Sequence, residues 1–354
     1  MSKFWSSMVK RTDPYVPGEQ VEQKDIVKLN TNENPYPPSL KVTAAIQQEM
    51  GRNLQLYPSP TASELREKIG RQYGLSTEEV FVGNGSDEVL AFSFMAFFEP
   101  GNPIRFPDVT YSFYPVYAKL FDIAYEEVPL NADFTLPIHK YFHSEGGVIL
   151  PNPNAPTSVY AELEQIEEIV KNNPDNVVII DEAYIDFASK SATELIRKYD
   201  NLLVIQTTSK SRSLAGLRVG FAMGAPSLID ALIRIKDSFN SYTLDRLALV
   251  GAKAAFEDDA YFKETVEKII TTREKTKEAL QLLSFNVLPS QANFVFASHE
   301  MVPAEFLYNE LKKEGILVRY FNKPGISNFL RITIGTDEQM EGLVVKLSEI
   351  IKSY

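Results

Sequence analysis

Two patterns of apolar and polar positions divide the chain. Between Val80 and Met223 short apolar runs alternate with longer stretches of helical spacing. Val80-Phe81-Val82, Ile104-Arg105-Phe106, Ala124 to Val128, Gly147 to Leu150, Val177 to Ile180 and Leu202 to Ile205 read as strands; the last is continuously apolar, as in a strand buried on both faces. Helical patterns lie between them, at Asp87 to Phe98, from Thr110-Tyr111-Ser112-Phe113-Tyr114-Pro115 onward, and at Ala161 to Asn172. Upstream, Lys41 to Met50 has helical spacing, and Leu65, Ile69 and Tyr73 continue a helix face that a capping box, Thr61-Ala62-Ser63-Glu64, would open. Strand–helix alternation of this kind predicts an α/β domain, a mainly parallel sheet with helices on both faces.

After Ser227 the pattern changes. Long helices are predicted over Ser227 to Asp237, Leu244 to Phe256 and Asp259 to Leu283; short strands around Asn293 to Phe296, Ile316 to Arg319 and Phe329 to Ile334 then alternate with helices at Pro303 and Asp337. The organisation that follows is an N-terminal arm over 1–29, carrying Pro14, Pro17 and Gly18, a large domain over 30–240, and a small α+β domain over 241–354 against which the arm packs.

Composition removes several classes of function. The net charge of -11, with no long basic run, argues against a nucleic-acid or anionic-membrane partner. Cysteine is absent, so there are no disulfides, thiolate nucleophiles or cysteine-bound metals. The start lacks the apolar core of a signal peptide and the apolar run Val89 to Phe98 is too short to span a bilayer, so a cytoplasmic protein is expected. His139 and His143 have the i, i+4 spacing of helix-borne metal ligands but no acidic or cysteine partner nearby, and no metal site is assigned.

In a parallel sheet, ligands gather outside the carboxyl ends of the strands. Gly83-Asn84-Gly85-Ser86, Tyr111, Asn152 to Asn154, Asp181 with Tyr184, and Ser209 with Lys210 all fall at such ends. The glycine turn lacks the third glycine of a dinucleotide fingerprint, Glu88 standing in its place; it suits a single phosphate, with Ser86 capping the following helix. Val177-Val178-Ile179-Ile180-Asp181-Glu182 looks like half of a nucleotide-triphosphatase, but the chain has no Gly-x4-Gly-Lys-Ser/Thr loop. Lys210, flanked by Ser209 and Ser211 and followed by Arg218, suits an amine that forms a Schiff base with an aldehyde cofactor whose phosphate Ser209 and Arg218 hold. Arg319 and Arg331 lie on predicted small-domain strands, where each could bind a surface acid or a substrate anion.

These residues resemble the fold-type I pyridoxal-phosphate aminotransferases over nearly the whole chain. The carriers are Leu29-Asn30-Thr31-Asn32-Glu33-Asn34-Pro35, Leu56-Tyr57-Pro58, Val82-Gly83-Asn84-Gly85-Ser86-Asp87-Glu88, Asn152-Pro153-Asn154-Ala155-Pro156-Thr157, Asp181-Glu182-Ala183-Tyr184, Thr208-Ser209-Lys210 through Arg218, and Leu330 to Gly335. The resemblance implies a large domain on a seven-stranded sheet, pyridoxal 5'-phosphate as cofactor, and Lys210 as its Schiff-base lysine. It further implies Asp181 on the pyridine nitrogen, Tyr184 on the phenolic oxygen and Tyr111 stacked on the ring. The phosphate would fall to Gly85, Ser86, Thr207, Ser209 and Arg218. Tyr57 would reach that phosphate from a neighbouring subunit, so a homodimer with shared sites is expected.

One departure stands out. The family's asparagine before Pro-Thr, the second partner of the phenolic oxygen, is Ala155 here, leaving Asn154 or Asn152 to substitute. Substrate choice is implied to rest on Arg331, Arg319, Tyr15 and Asn32, since an arginine fork serves carboxylate and phosphate alike. The activity implied is exchange of an amino group between L-histidinol phosphate and 2-oxoglutarate; the alternatives are an aromatic amino-acid aminotransferase and, on the same scaffold, a lyase that decarboxylates threonine phosphate. A cofactor-binding regulator would need a DNA-binding segment, and neither end of the chain offers one.

Overall fold

The computed structural model of the protein describes residues 2–15, 26–51 and 53–354. Pro17 and Gly18 of the expected arm lie outside the described residues. In chain order the strands are β1 (Val27–Lys28), β2 (Val80–Asn84), β3 (Ile104–Pro107), β4 (Tyr125–Val128), β5 (Val148–Pro151), β6 (Val178–Asp181), β7 (Leu202–Thr207), β8 (Val219–Gly224), β9 (Phe285–Val287), β10 (Phe294–His299), β11 (Ile316–Leu317), β12 (Arg319–Tyr320) and β13 (Leu330–Thr333). The helices are α1 (Ser7–Arg11), α2 (Leu40–Glu49), α3 (Ser63–Tyr73), α4 (Gly85–Phe97), α5 (Phe113–Phe121), α6 (Leu163–Lys171), α7 (Pro226–Phe239), α8 (Arg246–Phe256), α9 (Asp259–Leu282), α10 (Ala304–Lys313) and α11 (Asp337–Ser353).

Seven strands form the large sheet in the order β2-β8-β7-β6-β5-β3-β4. All neighbours are parallel except β8, which runs antiparallel to both β2 and β7. The apolar runs bury both faces: Val178 and Ile180 join one core with α3, α6 and α8, while Ile179 joins the other with α4, α5 and α7. A residue at the end of such a strand therefore has little freedom. Asp181 sits in register with Pro151 on one side and Ile205 on the other.

The small sheet is antiparallel, ordered β12-β13-β10-β9, and its core also receives Leu29. The segment before the first helix of the large unit is stitched to it. β1 pairs in parallel with β11, and Thr333 N–H donates to the Leu29 carbonyl at 3.0 Å. In the arm, Arg11 donates to the carbonyls of Lys119 and Leu120 at the end of α5.

Three local expectations fail. The capping box at Thr61 does not form: Ala62 holds the cap position at φ 46° without a side-chain bond, and Glu64 is taken by Lys253 at 2.6 Å. Ser86 does not cap α4, because pairing of Asn84 with Val219 carries the strand up to the helix, whose first residue is Gly85. Gly85 makes that abrupt change of direction at φ 80°, a conformation side chains resist. His139 lies in a short 3-10 turn, Ile138–Tyr141, and His143 lies beyond it at φ 53°, so the helical spacing read for the pair is not realised.

Candidate active site

The carboxyl ends of β5, β6 and β7 and the start of α4 open onto a cavity of about 250 Å³ that the small domain closes with Arg319, Phe321 and Arg331. Lys210 lies three residues past the end of β7 and its Nζ donates to the Thr31 carbonyl at 3.1 Å. Burial first, and then the like charge of Arg331, lowers its pKa to about 8. Asn34 donates from its amide to the carbonyls of Lys210 and Ser211, and Ser211 Oγ donates to Asp186, so the lysine's backbone is held on both sides.

Asp181 is 5% exposed and lines the cavity. Tyr114 OH donates to its Oδ2 at 2.8 Å, whereas Oδ1 is buried and without a hydrogen-bond partner among the described residues. Burial outweighs the Tyr114 bond and raises the carboxyl pKa to about 6. Tyr184 OH accepts from Asn32 Nδ2 at 2.9 Å.

An anion cradle lies at the start of α4. Ser86, Thr207, Ser209 and Arg218 line it, and the helix start supplies N–H groups with no partner inside the helix. Arg218 pairs with Asp87 at 3.1 Å, and Tyr111 OH donates to the other oxygen of Asp87 at 2.8 Å. A Cβ on Gly85 would lie 2.5 Å from Arg218 Nη2, and one on Gly220 would lie 2.3 Å from Ser86 N. Glycine at both positions lets β8 and α4 meet with the guanidinium between them and solvent.

Most residues expected at the site are brought together: Lys210, Asp181, Tyr184, Ser86, Tyr111, Thr207, Ser209, Arg218, Tyr15, Asn32, Arg319 and Arg331 all line this cavity. Gly85 adjoins it beneath Arg218. Tyr15 comes from the arm and stacks on Phe113 with centroids 4.2 Å apart. Three expected residues are elsewhere. Asn154 is absent from the cavity wall, which Ala155 forms instead; Asn154 Nδ2 is spent on the Val109 carbonyl at 3.0 Å. Asn152 is spent on both backbone groups of Ala161. Tyr57 is 78% exposed and stacks on Tyr242, away from its own chain's cavity.

The sequence reading missed Asp87, Tyr114 and Thr31. Asp87 carried a signal, an acid in the first turn of a helix assigned to an anion. Tyr114 carried only its place three residues after Tyr111. Thr31 acts through its carbonyl, which no side-chain pattern reports.

Residues 24–347 match the model of the aminotransferase class I and II family. The chain belongs to that family. Similar curated aminotransferases include histidinol-phosphate aminotransferase 1 of Oceanobacillus iheyensis, 63% identical over 352 residues and 99% of each chain. The histidinol-phosphate aminotransferase of Clostridium acetobutylicum is 56% identical over 351 residues, 99% of this chain and 100% of that one. Among solved structures, the histidinol-phosphate aminotransferase of Sinorhizobium meliloti in complex with pyridoxal-5'-phosphate shares the fold, with a TM-score of 0.89 at 23% identity over 100% of this chain and 99% of that one.

Aminotransferases of this family depend on pyridoxal phosphate, and the residues present fit it. The unpartnered Asp181 Oδ1 suits a protonated pyridine nitrogen, and the cradle at α4 suits a phosphate.

Proposed function

We propose that the protein transfers the amino group of L-histidinol phosphate to 2-oxoglutarate, giving imidazole acetol phosphate and L-glutamate in histidine biosynthesis, as a cytoplasmic homodimer. The observation that carries the reading is the pair Arg319 and Arg331 on one wall of a cavity that also holds Lys210 and Asp181. Among the described residues neither arginine pairs with a carboxylate, and Arg331 Nε is buried without a partner. Two half-buried guanidinium groups with donors to spare call for an anion, and a phosphate ester or a dicarboxylate brings one. The identities of 63% and 56% to histidinol-phosphate aminotransferases over 99% of the chain support the same substrate.

When bound, pyridoxal phosphate supplies an aldehyde that takes up an amine and a ring that accepts an electron pair. Asp181, paired there with a cation, would stay ionised through neutral pH despite its burial. Tyr184 and Tyr111 would orient the ring, and Gly85, Ser86, Thr207, Ser209 and Arg218 would hold the phosphate. Lys210 Nζ would move a proton at the substrate carbon; a pKa of about 8 keeps a useful fraction of the amine unprotonated at working pH. Tyr15 would cover the imidazole end. For the second partner of the phenolic oxygen we propose no asparagine, since neither Asn152 nor Asn154 lines the cavity and the Nδ2 of each donates to a backbone carbonyl elsewhere.

The homodimer is supported by an apolar surface around Tyr57. Leu54 and Leu56 beside it in the chain and Tyr242 stacked on it are exposed, as is Phe239 three residues before Tyr242. The substrate is tested by comparing kcat/KM for L-histidinol phosphate, tyrosine and phenylalanine with 2-oxoglutarate as acceptor. A preference for histidinol phosphate of at least about tenfold is expected; preference for tyrosine or phenylalanine would move the substrate to the aromatic class.

A further inference from the structure

We infer that Thr333, on the small-domain strand β13, is a positioning residue that acts through Asn32 to turn the hydroxyl proton of Tyr184 into the cavity. The inference rests on the proposed function only in placing Tyr184 beside the cofactor's phenolic oxygen.

The geometry is a chain of three hydrogen bonds with a fixed direction. The backbone N–H of Asn32, whose proton is unambiguous, donates to Thr333 Oγ1 at 3.0 Å. Thr333 Oγ1 in turn donates to Asn32 Oδ1 at 3.0 Å. That assigns the oxygen of the amide to Thr333 and leaves Asn32 Nδ2 to donate to Tyr184 OH at 2.9 Å. With the amide reversed, Thr333 would receive two donors and its own proton would face no acceptor at a position only 2% exposed. Because the Tyr184 oxygen accepts from Asn32, its proton is free to go elsewhere, and the cavity is what Tyr184 lines.

The rest of the surroundings hold Asn32 to this task. It is 1% exposed, adopts φ 55°, and its carbonyl accepts from Asn293 Nδ2 at 3.0 Å. The side chain is thus committed within the protein rather than offered to a substrate. Thr333 itself is fixed by its antiparallel register with Phe294 and by the bond from its N–H to Leu29. The departure at Ala155 raises the consequence. A single tyrosine donor is left where the family pattern has a tyrosine and an asparagine, so the direction of that one proton decides whether the phenolic oxygen has a donor at all.

The charged groups around Tyr184 are Asp181 at the end of β6, Lys210 in the loop after β7, Arg331 on β13 and Asp87 on α4. Replacing Thr333 changes none of these charges. A hydrogen bond to the ionised oxygen favours that form, so losing it raises the pH at which the bound chromophore titrates.

The test is an absorbance–pH titration of the purified, cofactor-loaded protein and its variants. Thr333→Val keeps the shape and removes the hydroxyl; an upward shift of the titration midpoint by about one pH unit is expected, with Thr333→Ser returning it to the wild-type value. Thr333→Ala, which introduces no bulk, gives the same reading should the valine variant fold poorly. Tyr184→Phe serves as the reference and should shift at least as far. Loaded Thr333→Val and Thr333→Ala proteins that titrate like the wild type, while Tyr184→Phe shifts, would overturn the relay and leave the proposed function standing. An unshifted Tyr184→Phe would overturn the relay by removing Tyr184 from the phenolic oxygen.

Discussion

Lys210 and Asp181 are each held in the protonation state their surroundings disfavour least, and each makes stability depend on pH in its own window. The Asp181 pKa is raised from 3.8 to about 6, so in the cofactor-free protein the folded state binds more protons than the unfolded chain between those values. The stability of the neutral carboxyl is fully present below the lower value and is lost as pH rises through the upper one, amounting to about 3 kcal/mol across the window. Urea unfolding of the apo protein should therefore show wild type losing stability relative to Asp181→Asn between pH 4 and pH 6, and a parallel pair of curves would refute the burial argument. For Lys210 the pKa falls from 10.5 to about 8, so the unfolded chain binds the extra proton and stability rises with pH between those values. Replacing Lys210 with alanine should remove that rise and abolish transamination. Arg331→Gln should lower kcat/KM for histidinol phosphate and for glutamate together, by roughly a hundredfold each, since one fork serves both anions; loss in only one half-reaction would contradict a shared anion site. Asp181 and Lys210 were legible because they fall at or just past the end of apolar strand runs, and Arg218 because it follows Lys210 by eight residues, close before a glycine. Thr31 was not, since it acts through its carbonyl, and Asn32, expected at the site, gave no sign of its bond to a residue 301 positions away.

At the scale of elements, the site depends on two backbones meeting without side chains between them. Gly220 on β8 faces the first turn of α4, where an added Cβ would lie 2.4 Å from Gly85 C. Gly220→Ala should displace the anion cradle and weaken cofactor affinity at least about tenfold, with a stability loss of about 1–3 kcal/mol, read by cofactor titration and urea unfolding. The strands of the large sheet were legible almost throughout, because continuous apolar runs such as Leu202 to Ile205 leave few alternatives. The helix starts were less so. Thr61 to Glu64 has the letters of a capping box, but a lysine 189 positions on takes the glutamate, a competition no local pattern can express. Gly83 to Ser86 read as a turn because two glycines suggest one; pairing with β8 extends the strand through the first of them and leaves only Gly85 to turn the chain.

For the whole molecule, the expectation that differs most from a single chain's geometry concerns Tyr57. It is exposed and absent from its own cavity wall, as the shared-site dimer requires. Mixed dimers of Lys210→Ala and Tyr57→Ala chains should regain about a quarter of wild-type activity at limiting cofactor, because each hybrid assembles one site with both native residues. No gain on mixing would place Tyr57 outside the partner's site. The alternation of strands and helices made the mainly parallel sheet readable from sequence. Packing of the arm on the C-terminal part was expected, but the pairing of β1 with β11 was not, since both are two-residue strands from opposite ends of the chain.

The most direct test of the central claim, an aminotransferase whose paired arginines select a phosphate-bearing imidazole donor, is a single-turnover measurement. The loaded protein is mixed separately with L-histidinol phosphate, glutamate, tyrosine and threonine phosphate, and the cofactor absorbance is followed in time. Rapid conversion by histidinol phosphate and glutamate, with tyrosine slow and threonine phosphate releasing no carbon dioxide, is the expected result. Faster conversion by tyrosine, or carbon dioxide released from threonine phosphate, would contradict it.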